Sequence, residues 1–297
     1  MQPNVQHTDP AMAKVRGIEI CYQTFGDPQA APLLLLDGNG CQMIEWDDDW
    51  CAQLAARGYW VIRYDQRDMG RSTKFDAAGV PPAEDAPTVE KQAYQAPYTF
   101  ADMADDGIAL VSALGAAWAH VVGISMGGFI VQLMAIRHPA QVRTMTSMMS
   151  HSRNPNPTRR VAPISPDLRV RTDSRSAYVE SYIHWEQAIA GRYPRSTENL
   201  RARAERQWER GIFPAGKARH SAAGPATPSW REALHALTVP TLVIHGDADP
   251  LVPVEGGIDT AHSIPNAELL IIEGWGHGYP APELRPTLIE AIVKHAV

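Results

Sequence analysis

The sequence predicts an α/β fold: an open, mostly parallel sheet of about eight strands, flanked by helices, with a helical insertion after the sixth strand. Three observations carry that expectation. Pro32–Leu36 is a short, unbroken apolar run, as in strands buried on both faces, and Thr241–His245 also reads as a strand. They alternate with stretches of helical periodicity. The alternation stops over residues 151–230, where no strand is evident, and resumes after Trp230.

The elements follow in order. The first dozen residues, 1–12, read as a loose tail. Residues 13–25 form two strands turning at Gly17. Pro32–Leu36 is a strand that runs into Asp37-Gly38-Asn39-Gly40. Residues 46–57 suit a helix with Trp50, Leu54 and Arg57 at helical spacing, stopped by Gly58. Trp60–Tyr64 is the next strand, and a loop with prolines at 81, 82, 87 and 97 follows. Thr99 caps a helix that places Phe100, Met103, Ile108, Val111 and Leu114 on one face. Then come strand His120–Gly123, a helix from Met126 to Arg137 ended by Pro139, and strand Val142–Met148. Within 151–230 one helix is legible at about 197–210, with Leu200, Ala204 and Trp208 as its ridge. Past Trp230 the order is a helix to Leu237, strand Thr241–His245, a helix near 255–263, strand Glu268–Ile272 and a last helix over 282–295. The domains expected are therefore a core of 13–150 and 231–297, and a helical cap of 151–230.

Composition narrows the function. A chain of 297 residues with 44% hydrophobic and 20% charged residues has ample core and is not disordered in character. Its net charge of -6 argues against nucleic acid, whose binding starts from a basic surface. No segment approaches the roughly 20 apolar residues of a membrane span, and the N-terminus lacks the apolar stretch of a secretory signal, so a cytoplasmic location is expected. Cys21, Cys41 and Cys51 suit buried reduced thiols better than a Cys41–Cys51 bridge. No metal site is expected: His245, Asp247 and Asp249 are spread by strand alternation, and no CxxC or His/Cys cluster occurs.

Gly123-Ile124-Ser125-Met126-Gly127 is the sharpest signal. A G-x-S-x-G pentapeptide arises by chance in roughly one chain in ten of this length. Here VVGI precedes it as a strand and MGGFIVQLMAIRH follows as a helix, which is the setting of a nucleophile elbow. A serine hydroxyl needs a base. Among 11 histidines, His277 lies in Gly274-Trp275-Gly276-His277-Gly278 after the last strand, where glycines allow close approach to another loop. His245, its main rival, sits inside a strand. The acid should follow Thr241–His245; Asp249, at the loop tip before Pro250, is preferred over Asp247, a turn residue bonding its own backbone. An oxyanion hole would draw one N–H from Met126 and one from Gly38 or Asn39, with Asn39 favoured.

With these residues in place the sequence resembles the α/β-hydrolase superfamily over nearly the whole chain outside the first dozen residues. GISMGG, YDQRDMGRS, TLVIHGDADPLVP and EGWGHG occur in the expected order and spacing. YDQRDMGRS and AHVVGISMGG are particularly similar to the bacterial serine esterases that include the aclacinomycin methylesterases. The resemblance implies the α/β-hydrolase fold, a carboxylic ester hydrolase with a helical cap and no cofactor, Ser125 as nucleophile, Asp249 as acid and His277 as base. Gly38, Asn39 and Met126 match the oxyanion positions. One departure is Asp37, where many members carry histidine; bonding of loop N–H groups is the expected role of its carboxylate. Asp65, Arg67 and Arg71 of YDQRDMGRS are expected to be structural.

The same triad serves lactonases, C–C bond hydrolases, aminopeptidases and cofactor-free haloperoxidases, and a non-catalytic small-molecule receptor could keep the fold. Met43, Trp46, Trp275 and Tyr279 in loops facing the site, with Trp185 and Trp208 in the cap, suggest a pocket for an ester with a bulky apolar group. A monomer or homodimer is expected. Residues 151–230 hold 14 Lys and Arg against 7 Asp and Glu, so +7, and the remainder carries -13. Charge attraction that helps seat a basic cap on an acidic body is the expectation, with loosening at high salt.

Overall fold

A computed structural model of the chain describes residues 5–82, 86, 89–90, 94–154 and 168–297. Met1–Asn4 of the expected tail, Pro87, and residues 155–167 of the expected cap lie outside the described residues.

The sheet has eight strands: β1 (Ala11–Val15), β2 (Ile18–Phe25), β3 (Ala31–Leu36), β4 (Tyr59–Tyr64), β5 (Ala119–Ile124), β6 (Val142–Met148), β7 (Thr241–Gly246) and β8 (Glu268–Ile272). Their order is β1-β2-β4-β3-β5-β6-β7-β8. β1–β2 and β2–β4 are antiparallel, and every later pair is parallel. All six residues of β4, β5 and β7 are buried, as in strands covered on both faces.

The tail is less loose than expected. β1 begins at Ala11, His7 bridges Phe25, and the Thr8 N–H donates to the Thr24 carbonyl at 3.0 Å. The polar composition of this segment hides it because its bonds are made by backbone, which every residue carries.

Helices α1 (Asp48–Ala55), α2 (Phe100–Ala113), α3 (Met126–Arg137), α7 (Arg231–Leu234), α8 (Val254–Ser263) and α9 (Arg285–His295) flank the sheet. α1 starts two residues later than expected because Asp47 accepts the Trp50 N–H and acts as its cap; Met43–Glu45 before it is one 3-10 turn. α2 carries a full capping box from Thr99 and Asp102. α2, α3 and the segment around Leu234 close one core layer, and α1 and α9 close the other.

Within 151–230 the described residues form three helices, α4 (Arg175–Ile189), α5 (Thr197–Arg210) and α6 (Pro214–Ala226). Only α5 was legible in the sequence. α4 buries Tyr178, Val179, Tyr182 and Ile183 against Leu200 and Ala204 of α5. α6 contains two glycines and two prolines, poor helix formers. Its buried Arg219 and His220 are held by the segment after β4, and those contacts outweigh propensity. Cys21, Cys41 and Cys51 are free.

Candidate active site

The ends of β3, β5, β7 and β8 bring the candidate residues together, as expected where loops gather at the carboxyl edge of an open sheet. Ser125 sits between β5 and α3 with φ 55° and ψ -117°, a left-handed backbone in a non-glycine residue. The turn is tight: a Cβ at Gly123 would collide with the Gly127 carbonyl, and one at Gly127 with the Leu36 carbonyl. The Ser125 N–H bonds the Met148 carbonyl at 2.8 Å, which ties the elbow to β6.

His277 Nε2 lies 2.9 Å from Ser125 Oγ, and His277 Nδ1 lies 2.7 Å from Asp249 Oδ2. Asp249 Oδ1 accepts the N–H groups of Leu251 and Val252, each at 2.8 Å. Burial would raise the Asp249 carboxyl, but the His277 charge and the bonds from His245, His277 and Val252 hold it well below the usual carboxylate range. An ionised Asp249 only accepts, so His277 carries its hydrogen on Nδ1 and leaves Nε2 free to take one from Ser125.

The rivals have other partners. His245 is fully buried; its Nε2 lies 2.9 Å from the Val252 carbonyl and 3.4 Å from Asp249 Oδ2. Asp247 accepts the Gly274 N–H at 2.6 Å rather than bonding its own turn. That bond ties the loop after β7 to the histidine loop. Of the glycines flanking His277, Gly276 is the one required: a Cβ there would collide with the Ile189 carbonyl of the insertion, whereas Gly278 faces open space.

Gly38 N–H donates to Tyr279 Oη at 3.1 Å. The N–H groups of Asn39 and Met126 make no hydrogen bond among the described residues. Gly38 is therefore engaged, with its single hydrogen spent on Tyr279. Asp37 does not bond loop N–H groups as expected. Its Oδ1 accepts the Tyr279 hydroxyl at 2.9 Å, its Oδ2 is buried without a partner, and burial raises its carboxyl well above the usual range. α6 lies over this loop, with Asn39 Nδ2 donating to Ser221 Oγ at 2.8 Å and Lys217 lying across Gly40.

The aromatic residues expected to line a pocket are distributed unevenly. Met43, Trp46 and Trp275 are buried to 0%, 1% and 1% exposure, and Tyr279 to 9%. Trp46 packs edge-on to Tyr279 and against Trp50, so these side chains build the core beneath the site. Trp185 is half-buried. Trp208 packs on Tyr178 and, with Thr172, Gly211, Ile212 and Pro214, lines a cavity of about 320 Å³ in the insertion.

The YDQRDMGRS segment receives the insertion. Asp65 accepts the Met43 and Arg71 N–H groups and an Arg210 N–H. Arg67 forks onto Asp106 at 2.7 and 2.8 Å. Asp68 accepts two bonds from Arg219. A second polar cluster was missed in the sequence. Buried Glu45 accepts Tyr182 at 3.0 Å, Gln207 and Arg203 at 2.8 Å, and the arginine excess of 151–230 was its only trace.

A serine at a strained strand-to-helix turn, a histidine and an acid at successive strand ends of a mostly parallel sheet define a class. Residues 31–279 match the family model described as alpha/beta hydrolase fold, and the chain belongs to that family. It is 30% identical to rhodomycin D methylesterase DauP of Streptomyces sp. (strain C5), over 94% of this chain and 95% of that one. It is 26% identical to the bifunctional esterase/perhydrolase DCH of Acinetobacter calcoaceticus, over 90% of this chain and 92% of that one. The enol-lactonase from Burkholderia xenovorans LB400 shares the fold with a TM-score of 0.70 and 22% identity, over 96% of this chain and 99% of that structure. No helix among the described residues is long and apolar enough to cross a membrane.

Proposed function

We propose that this chain hydrolyses carboxylic esters through an acyl-enzyme formed on Ser125. One observation carries the reading: Ser125 Oγ, His277 and Asp249 are joined in series at 2.9 and 2.7 Å, and the Asn39 and Met126 N–H groups have no partner among the described residues. His277 takes the Ser125 proton as Oγ attacks the ester carbonyl. Asp249 fixes the tautomer and stabilises the imidazolium. The Asn39 and Met126 N–H groups receive the tetrahedral oxyanion. The alcohol leaves with the proton from His277, and water then cleaves the acyl-enzyme by the same steps. No cofactor enters this sequence.

Kinship with proteins named methylesterase and esterase/perhydrolase supports an ester over an amide. In this reading 151–230 is a cap over a core of 13–150 and 231–297, and the substrate is a small ester with a bulky apolar part. A fluorophosphonate probe should label Ser125. p-Nitrophenyl and methyl esters should turn over, and Ser125→Ala should abolish it. Labelling without ester turnover, with only an anilide cleaved, would assign a peptidase instead. Absence of both labelling and turnover would leave a receptor of the same fold.

A further inference from the structure

Segment 189–192 of the insertion runs against the histidine loop. His277 N–H donates to the Ile189 carbonyl at 2.7 Å, Gly276 N–H to the Ala190 carbonyl at 3.1 Å, and Arg192 N–H to the Gly274 carbonyl at 2.7 Å. This short ladder carries Arg195 to the site. Its guanidinium lies 5.6 Å over the ring of Tyr279, the residue whose hydroxyl holds Gly38. Tyr279 thus touches both Arg195 and the oxyanion loop.

Arg195 is an unusual arginine in this protein. Its side chain is 4% exposed, its Nε and Nη1 have no hydrogen-bond partner among the described residues, and Glu45 Oε2, the nearest carboxylate oxygen among them, is 4.0 Å away. The other buried arginines of the insertion are bonded: Arg203 to Glu45 and Asp47, Arg210 to Asp65, Arg219 to Asp68. Glu45 gives its hydrogen bonds to Tyr182, Gln207 and Arg203 and faces Arg195 only as a charge at 4.0 Å. The remaining neighbouring carboxyl, Glu186, has its pKa raised by burial and by the charge of Glu45. A buried charge with open donors is costly, and each open N–H of a guanidinium can donate a charge-assisted bond to an anionic oxygen.

We infer that Arg195 is a specificity residue that receives an anionic oxygen group, a carboxylate or ionised hydroxyl, on the ester substrate. The inference rests on the esterase reading for its site and adds the charge of the substrate. The ester lies with its reacting carbonyl at Ser125 and its acidic substituent across Tyr279 on the guanidinium. Arg195 does not touch the reacting bond; it selects and orients.

The experiment compares p-nitrophenyl monoesters of dicarboxylic acids of increasing length with the matching terminal amides. At one length the acid should exceed the amide at least tenfold in kcat/KM. Arg195→Met should bring that ratio to about one, and Arg195→Lys should keep part of it. Arg195→Met should also raise the melting temperature, since it removes a buried charge whose N–H groups are left without acceptors. Calorimetry with the free dicarboxylates gives a readout without turnover, with at least tenfold weaker binding in Arg195→Met. No acid preference at any length, equal binding in both proteins, or a lowered melting temperature in Arg195→Met would overturn the inference. Cleavage of the amides without acid preference would leave the esterase reading intact; dicarboxylate binding without turnover of any ester would do the reverse.

Discussion

Arg219 of the insertion grips Asp68 of the body through two parallel hydrogen bonds of 2.8 and 2.7 Å, with side-chain exposures of 1% and 0%. Tyr98 and the Phe75 N–H complete the shell of Asp68. The body thus offers a prepared acceptor, and α6 delivers the guanidinium into it.

Removing one partner leaves the other charge buried and unpaired. Arg219→Ala should destabilise the protein by about 3–5 kcal/mol. Asp68→Asn should cost a similar amount, and the double variant less than the sum. Urea unfolding of the three variants checks this; additive losses would show that the pair is not coupled.

The attraction read from bulk charge has become a set of enclosed pairs. Arg203, Arg210 and Arg219 sit at 5%, 11% and 1% side-chain exposure, where salt screens little. Hydrogen exchange of α6 should therefore change little between about 0.05 and about 1 M salt. Marked acceleration at high salt would return weight to exposed pairs such as Arg192–Glu273.

Asp249 is expected to act through His277. Asp249→Asn should leave the fold in place, favour the wrong tautomer, and lower kcat roughly 10⁴-fold with a smaller effect on KM. Its carboxyl, like those of Asp47 and Asp68, is held below the unfolded value. The stability these groups contribute is present above about pH 4 and is lost as pH falls through their folded values. The melting temperature should drop on the acid side of about pH 4, and less steeply in Asp68→Asn.

Asp37 has the opposite sign. Its folded carboxyl is raised by burial, so folding takes up a proton and stability falls as pH climbs above about 4. Asp37→Asn removes that loss, and its melting temperature relative to the parent should rise with pH. Tyr279→Phe frees the Gly38 N–H and strips Asp37 of its donor. It should lower kcat about tenfold through a misplaced oxyanion loop. Unchanged kcat would show that the hydroxyl does not position the loop.

Much of the fold was legible because local chemistry and global fold agree. Unbroken apolar strands, the Thr99 cap and the glycine-flanked Ser125 each state their own conformation. Ser125, Asp249 and His277 could be chosen because strand order dictates which loops meet. α6 and the N-terminal pairing were not legible, since glycine, proline and polar residues there are held by distant partners. The roles of Asp37 and Tyr279 were hidden for the same reason, being 242 positions apart in sequence and 2.9 Å apart in space.

The sequence by itself determined the strands, the elbow and the order of the three site residues, because each depends on neighbours along the chain. Only the tertiary structure decided which arginines are spent on holding the insertion and which one is not. Arg195, Arg203, Arg210 and Arg219 look alike in the sequence. Their difference lies in whether a carboxylate waits within bonding distance once they are buried, and that depends on residues more than a hundred positions away.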